Sequence, residues 1–548
     1  MVYYKGKYKS AACGNGDFML KKKWFLYVTE FFAGISVMAI ELGASRLLAP
    51  YFSSSQIVWT VIIGIIMIAM ALGNILGGRM ADRDPNPDRL YGRLLIVAVW
   101  CAAIPLVGKY VIAGISFALA ALGGQNFLIW ASLASCAVLF VFPLMLLGTV
   151  SPSLVKYTVK NLNESGRTVG ELNALNTIGS IIGTFLPTFV TIPAVGTSWT
   201  FIIFAAVLLV ISLVYFFFEK RKIVKCAIAL VLAVGFAVGS SFNSFAFWSE
   251  EGATVDEDES IYNYLQVTET ERDIRLSTNV LFGVQSITVK NGKLTGMYYD
   301  YALAAPIMAG AREKDHLDIL ILGFGSGTYA MQCRKYFPNC SVEGVEIDRK
   351  IIDLAYSRFG LDPEDGNIKV VEFDGRAYLR SAGKYDVIMV DAYRDITIPF
   401  QLSSREFFSE VASHLTDDGV MVVNLNMRSE REGSINDWLC DTIATSFASV
   451  KYADVGGNRE VFAAKSEDAF KNFERDIYSF PTNLASLLVT VKGKMTAYEA
   501  GDLVLTDDKA PVELLGMRVI DELISEELEY YREKFKGMSL SEMIDALS

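Results

Sequence analysis

Histidine is almost missing from this sequence: His316 and His414 are the only two in 548 residues. Neither stands near a group of residues with ligand spacing, which removes a histidine-based triad and a histidine zinc site from the expected chemistry. Cysteine is sparse as well. The seven cysteines fall without close pairs, so neither a CxxC metal site nor a disulfide framework is expected, and no metal is called for. Basic charge is in deficit, with 50 Lys and Arg against 61 Asp and Glu for a net charge of −11. Because that excess lies chiefly in the second half, nucleic acid is not an expected partner. Over residues 24–241 charge of either sign is scarce, and long apolar runs replace it. From residue 250 onward the pattern is the ordinary globular alternation, so at least two domains are expected.

Apolar stretches long enough to span a bilayer need about 20 residues. Seven candidates occur, near 24–49, 56–78, 94–121, 126–149, 172–195, 198–217 and 223–241. Pro105 and Gly108-Lys109 interrupt the third, the place where two short or re-entrant segments would hide. Cations mark one set of loops: Lys21 to Lys23 before the first span, Arg79, Arg83, Arg89 and Arg93 after the second, Lys156, Lys160 and Arg167 after the fourth, and Lys220 to Lys225 after the sixth. These loops alternate correctly and are expected in the cytoplasm. Within the bundle, Glu30, Glu41 and Arg46 are costly in lipid and invite either a polar cavity or a structural ion pair. Asn173 and Asn176 are suited to hydrogen bonds between helices, and Gly73, Gly77 and Gly78 to close helix packing.

The second half opens with strand-like alternation in YNYLQVTET, DIRLSTN and GVQSITVK, which predicts a small antiparallel sheet. From residue 317 the pattern becomes strand, loop, helix, repeated through LDILILGFGSG, SVEGVEID, IKVVEFD and YDVIMVDAY. Buried apolar strands alternating with helices predict a parallel, doubly wound sheet. Its first turn carries Gly323, Gly325 and Gly327, where small residues let a ligand approach the backbone at a helix N-terminus. Dinucleotide and methyl-donor proteins share such a turn. Glu346 ends the second strand, where a carboxylate accepts both hydroxyls of a ribose. Asp374 ends the third and is followed by Gly375, a pair suited to an adenine amino group. Asp391 ends the fourth, at the crevice where reacting groups converge. Any one of these acids could instead cap a helix.

Further motifs carry a resemblance. Glu259-Ser-Ile-Tyr262-Asn263, Gly283-Val-Gln285-Ser286, Tyr298-Tyr299-Asp300 and Asp391-Ala-Tyr-Arg-Asp395 stand where the spermidine synthase, or polyamine aminopropyltransferase, family has E-S-x-Y-Q, G-x-x-Q, Y-H-E and D-S-S-D-P. The runs 398–408 and 505–513 resemble the branch in which a membrane bundle precedes the synthase domain. The resemblance implies that Gly323, Gly325, Gly327, Glu346, Asp374 and Gly375 hold the nucleoside, with Gln285 near its sulfonium tail. It makes Asp391 the base for the attacking amine, with Tyr262 orienting it, and gives Tyr299, Asp300 and Asp395 to the acceptor. Departures concentrate on that acceptor side: Asn263 replaces Gln, Tyr299 replaces His, Asp300 replaces Glu, Asp395 is displaced and the proline is absent.

The architecture expected is therefore an N-terminal α-helical transmembrane bundle (1–241), a linker (242–258), a small β subdomain (259–316), a Rossmann-like S-adenosylmethionine-dependent transferase domain (317–515) and an exposed helical tail (516–548). The expected activity is transfer of an aminopropyl-type group from S-adenosylmethionine or its decarboxylated form to an amine, releasing methylthioadenosine. Cleavage or cyclisation of S-adenosylmethionine, methyl transfer, and nucleoside or polyamine sensing or transport are the alternatives. Expected partners are a small amine or nucleoside substrate and the lipid bilayer, with a homodimer as a compatible assembly. Seven spans with a cytoplasmic N-terminus leave the second domain outside, yet its ligand favours the cytoplasmic side.

Overall fold

The computed structural model describes residues 23–52, 55–122, 126–159, 165–220, 222–244, 253–278, 284–392, 398–426, 428–429 and 431–534. The chain divides into two compact units. One comprises Met1–Leu47, Thr60–Gly114 and Ser132–Asn243; the other comprises Leu48–Trp59, Ile115–Ala131 and Ser244–Ser548.

Among the described residues of the first half, six helical stretches are long and apolar enough to cross a membrane: Lys23–Phe52, Gln56–Arg83, Pro87–Ala120, Phe127–Thr158, Ser165–Phe218 and Ile223–Ser240. The break anticipated at Pro105 does not occur. A single helix, Pro87–Leu122, runs through it, because one lost backbone bond is tolerable within an apolar bundle. The fifth stretch folds back on itself at Gly196, whose φ of 80° lies outside helical space. Thr191 and Thr200 then meet hydroxyl to hydroxyl at 2.9 Å, whereas a straight helix would separate them by about 13 Å.

Small residues let these helices touch backbone to backbone. A Cβ on Gly179 or Gly183 would lie 2.2 or 2.3 Å from the carbonyl oxygens of Phe31 and Ile35, and one on Gly73 would lie 2.3 Å from that of Met145. Gly78, by contrast, faces open space. Glu30 is fully buried and accepts hydrogen bonds from Ser151 and, at 3.0 Å, from Asn176. Asn176 thus makes the interhelical bond its position suggests.

The C-terminal part of the second unit opens with a four-stranded antiparallel sheet in the order β1 (Ala253–Glu259), β2 (Tyr264–Glu269), β3 (Asp273–Ser277) and β4 (Ser286–Val289). β1 takes up the last six residues of the expected linker, 253–258, which moves the start of the subdomain back to residue 253. Its ATVDEDE sequence is a poor strand former taken alone. Pairing along β2 and specific partners for its acids override that preference. Lys350 meets Asp258 at 2.6 Å, Arg358 meets Asp256 at 3.3 Å, and the Tyr264 hydroxyl donates to Glu257 at 2.7 Å.

The main sheet has eight strands: β5 (Leu317–Leu322), β6 (Cys340–Glu346), β7 (Ile368–Glu372), β8 (Tyr385–Val390), β9 (Leu415–Leu425), β10 (Ser449–Val455), β11 (Asn458–Ala464) and β12 (Thr496–Ala497). Their order is β12-β10-β11-β9-β8-β5-β6-β7. β5 to β9 are parallel and β9 to β12 antiparallel. The chain leaves β5 toward β6 and β7, then crosses to β8 on the other side. That reversal opens a crevice at the carboxyl ends of β5 and β8. Helix Val512–Lys534 starts earlier than the expected tail, and Val512, Val519 and Ile520 are buried. Its first turns therefore belong to the domain, while 535–548 lie outside the described residues.

Candidate active site

The apolar strands place their polar residues just past the sheet edge. Gly323, Gly325 and Gly327 follow β5 with φ of 90°, 56° and 80°, the left-handed region that glycine enters without a Cβ penalty. Gly323 also passes very close to the end of β8, since a Cβ there would lie 2.4 Å from the Asp391 carbonyl oxygen. Helix Thr328–Tyr336 starts directly after Gly327.

Glu346 ends β6 and is buried. Its Oε2 accepts from the Gly325 N–H at 3.0 Å and its Oε1 from the Asp348 N–H at 3.1 Å. Burial pushes its carboxyl above the usual range, while those amides pull it back. Asp348, which sequence reasoning passed over, begins helix Arg349–Ser357 by accepting from Lys350 N–H and holds Asn263 Nδ2 at 3.0 Å. Asn263 therefore ties the small sheet to the crevice. Asp374 is exposed and caps helix Gly375–Leu379, accepting from the Ala377 N–H at 2.8 Å.

Asp391, one residue past β8, is the most perturbed acid in the crevice. Tyr298 donates its hydroxyl to Oδ2 at 2.8 Å, and Asn424 donates Nδ2 to Oδ1 at 2.8 Å. Desolvation outweighs both bonds and, with the Glu346 charge, pushes the carboxyl up to about 7. The Tyr298 and Tyr299 rings lie 3.9 Å apart, and Tyr299 donates to the Gln285 carbonyl at 2.7 Å.

These groups surround a cavity of about 450 Å³, within the size range of small-molecule sites. Tyr262, Gln285, Tyr299, Gly323, Gly325, Glu346, Asp374, Gly375 and Asp391 all line it. Gly327 does not line it and serves as the residue that turns the chain into the helix. Asp300 departs from expectation. It is fully buried and away from the cavity, and it accepts from Thr295 N–H and hydroxyl, Gly296 N–H and Gln332 Nε2. Four donors leave that carboxylate no capacity for an amine, so Asp300 organises a turn. Asp395 lies outside the described residues. Sequence reasoning gave no role to Tyr298 or Asn424. Asn424 had a usable signal, since it is polar at the end of the strand beside Asp391.

The sequence profile of the Spermine/spermidine synthase domain matches residues 304–454. The chain is 45% identical over 356 residues to the "Probable polyamine aminopropyl transferase" of Bifidobacterium longum, covering 61% of this chain and 78% of that protein. It is 24% identical over 381 residues to the polyamine aminopropyltransferase of Oceanobacillus iheyensis, covering 65% and 71% respectively. The solved spermidine synthase of Thermotoga maritima aligns over 43% of this chain and 83% of its own, at 18% identity and a TM-score of 0.37. The identity and coverage shared with the Bifidobacterium protein establish that this chain is a transferase belonging to the polyamine aminopropyltransferase, or spermidine synthase, family.

Proposed function

We propose that the chain is a membrane-bound enzyme that moves an aminopropyl-type group from decarboxylated S-adenosylmethionine, or from S-adenosylmethionine itself, to an amine. In this reading Glu346 accepts the ribose hydroxyls, Asp374 and Gly375 meet the adenine, Gly323 and Gly325 admit the ligand to the backbone, and Gln285 lies along the sulfonium tail. Tyr262 and Tyr299 orient the acceptor.

The observation that carries the reading is Asp391 on the wall of the cavity, held by Tyr298 and Asn424, where desolvation pushes its carboxyl up to about 7. An ammonium cannot attack until it loses a proton, and a base titrating near neutrality is suited to take it. The freed nitrogen attacks the carbon bonded to sulfur while the carbon–sulfur bond breaks. Its electron pair returns to sulfur, which converts a sulfonium into the neutral thioether methylthioadenosine. The alkylated nitrogen begins positively charged and loses a proton to solvent.

The occupied Asp300 carboxylate favours a second reading, cleavage of the donor without an external amine, because one acceptor-side acid is absent from the cavity. The apolar helices support a multi-pass membrane location, and supply of the donor supports a cytoplasmic transferase domain. Asp391→Asn tests the chemistry. Turnover should fall about 10²–10⁴-fold, while methylthioadenosine still binds through Glu346 and Asp374. Equal loss of binding and turnover would make Asp391 a donor ligand instead.

A further inference from the structure

Glu460 is an ionisable residue in an apolar place. It lies on β11, is completely buried, and neither carboxyl oxygen has a hydrogen-bond partner among the described residues. Such a group is costly unless something compensates it at some stage of function.

Its position suggests what compensates it. Glu460 pairs directly with Asn424 across the β9–β11 ladder, and cross-strand partners share one face of a sheet. Asn424 in turn donates to Asp391. Met389, Val422 and Phe462, each two residues from a member of this trio, all belong to one buried cluster with Tyr298, Tyr299 and Tyr329. By the strand period of two, Asp391, Asn424 and Glu460 form a polar row on that same face. Helix Tyr298–Ala302 packs against β11, and its first two tyrosines line the cavity.

The ionisable groups facing Glu460 are Asp391 from β8, Tyr299 from the covering helix and Tyr329 from helix Thr328–Tyr336. None of these is a cation. Burial, and then the Asp391 charge, push the Glu460 carboxyl well above its ordinary range, which together with its unpartnered oxygens favours the protonated form while the site is empty.

A polyamine brings at least two positive charges. Asp391 can neutralise one by taking a proton, and the nitrogen that does not react keeps the other in a low-dielectric cavity. Building on the aminopropyl-transfer reading, we infer that Glu460 is the counter-charge for the acceptor amine. As the amine enters beside Asp391, Glu460 releases its proton to solvent and balances the remaining ammonium. The exchange conserves charge, one proton out for one ammonium in. Glu460 acts through space behind the tyrosines and touches no reacting atom, which makes it a positioning residue.

The test uses the full-length chain saturated with methylthioadenosine and titrated with 1,4-diaminobutane, in calorimetry buffers of different ionisation enthalpy. The wild type should release about one more proton per amine bound than Glu460→Gln, in keeping with a carboxyl that loses its proton on binding. Glu460→Gln should raise KM for the diamine roughly tenfold or more, as expected for removal of a desolvated charge partner. Its kcat should change far less, and its methylthioadenosine affinity not at all. An unaltered KM and proton count overturn the inference. So does a parallel loss of methylthioadenosine binding, which makes Glu460 a structural part of the donor site. A wild type with no amine-dependent turnover refutes aminopropyl transfer itself. An amine-dependent wild type matched by Glu460→Gln refutes only the counter-charge.

Discussion

If Asp391 is kept poised for proton transfer, the fold should bear a measurable cost for it. An ordinary aspartate titrates at 3.8, and Asp391 is pushed up to about 7. At about 1.4 kcal/mol per pH unit, that difference destabilises the native state by about 4 kcal/mol above pH 7. The sign follows from proton binding. Below 3.8 the acid is protonated folded and unfolded, and the penalty is absent. Between 3.8 and about 7 only the unfolded chain has lost the proton, so stability falls as pH rises. Above about 7 the penalty is constant. Asp391→Asn removes it and keeps the acceptor for Asn424, but disturbs the Tyr298 bond, a loss of about 1 kcal/mol. Asp391 is only half-buried on the cavity wall, so solvent screening discounts the remainder to a net gain of about 2 kcal/mol. Thermal unfolding of the detergent-solubilised chain should therefore show the Asp391→Asn variant more stable than wild type at about pH 8, with the advantage shrinking toward about pH 4. An advantage that is absent, or that does not depend on pH, would refute the assignment of Asp391 as a desolvated acid.

The pH–rate profile reports the same group: kcat/KM should rise through about 7 on its acid limb, and a limb near about 4 would point to an ordinary carboxylate. Glu346→Gln should weaken methylthioadenosine binding roughly tenfold or more, since a charge-assisted ribose contact contributes about 1.5–3 kcal/mol; unchanged affinity in calorimetry would locate the nucleoside elsewhere. For topology, cysteines at Asn86 and Ser165 should resist an impermeant thiol reagent in intact cells, and one at Asn291 should resist it too if the transferase domain is cytoplasmic. Labelling at Asn291 alone would put that domain outside, in line with seven crossings.

The sequence made the parallel strands legible because strands buried on both faces are nearly continuous apolar runs, and Leu317–Leu322 and Tyr385–Val390 are such runs. The acids and glycines beyond them inherited their places from strand ends, which is why most of the candidate site could be named in advance. β1 was hidden because its acids imitate a solvated linker until Lys350, Arg358 and Tyr264 are brought to them. Asp300 misled for a different reason. A motif fixes where a residue falls along the chain, but the carboxylate turns inward to meet Thr295 and Gly296 of its own loop and Gln332 of helix Thr328–Tyr336. Glu460 gave no local signal at all. Its meaning depends on β11 pairing with β9, a long-range antiparallel contact that no short motif records.

The measurement that bears most directly on the central claim is the product of the reaction. The purified full-length chain, given decarboxylated S-adenosylmethionine and 1,4-diaminobutane, should form methylthioadenosine and an aminopropylated diamine in equal amounts by mass spectrometry, with neither accumulating when the diamine is withheld. Adenosylhomocysteine from S-adenosylmethionine, or methylthioadenosine formed at the same rate without any amine, would contradict the account.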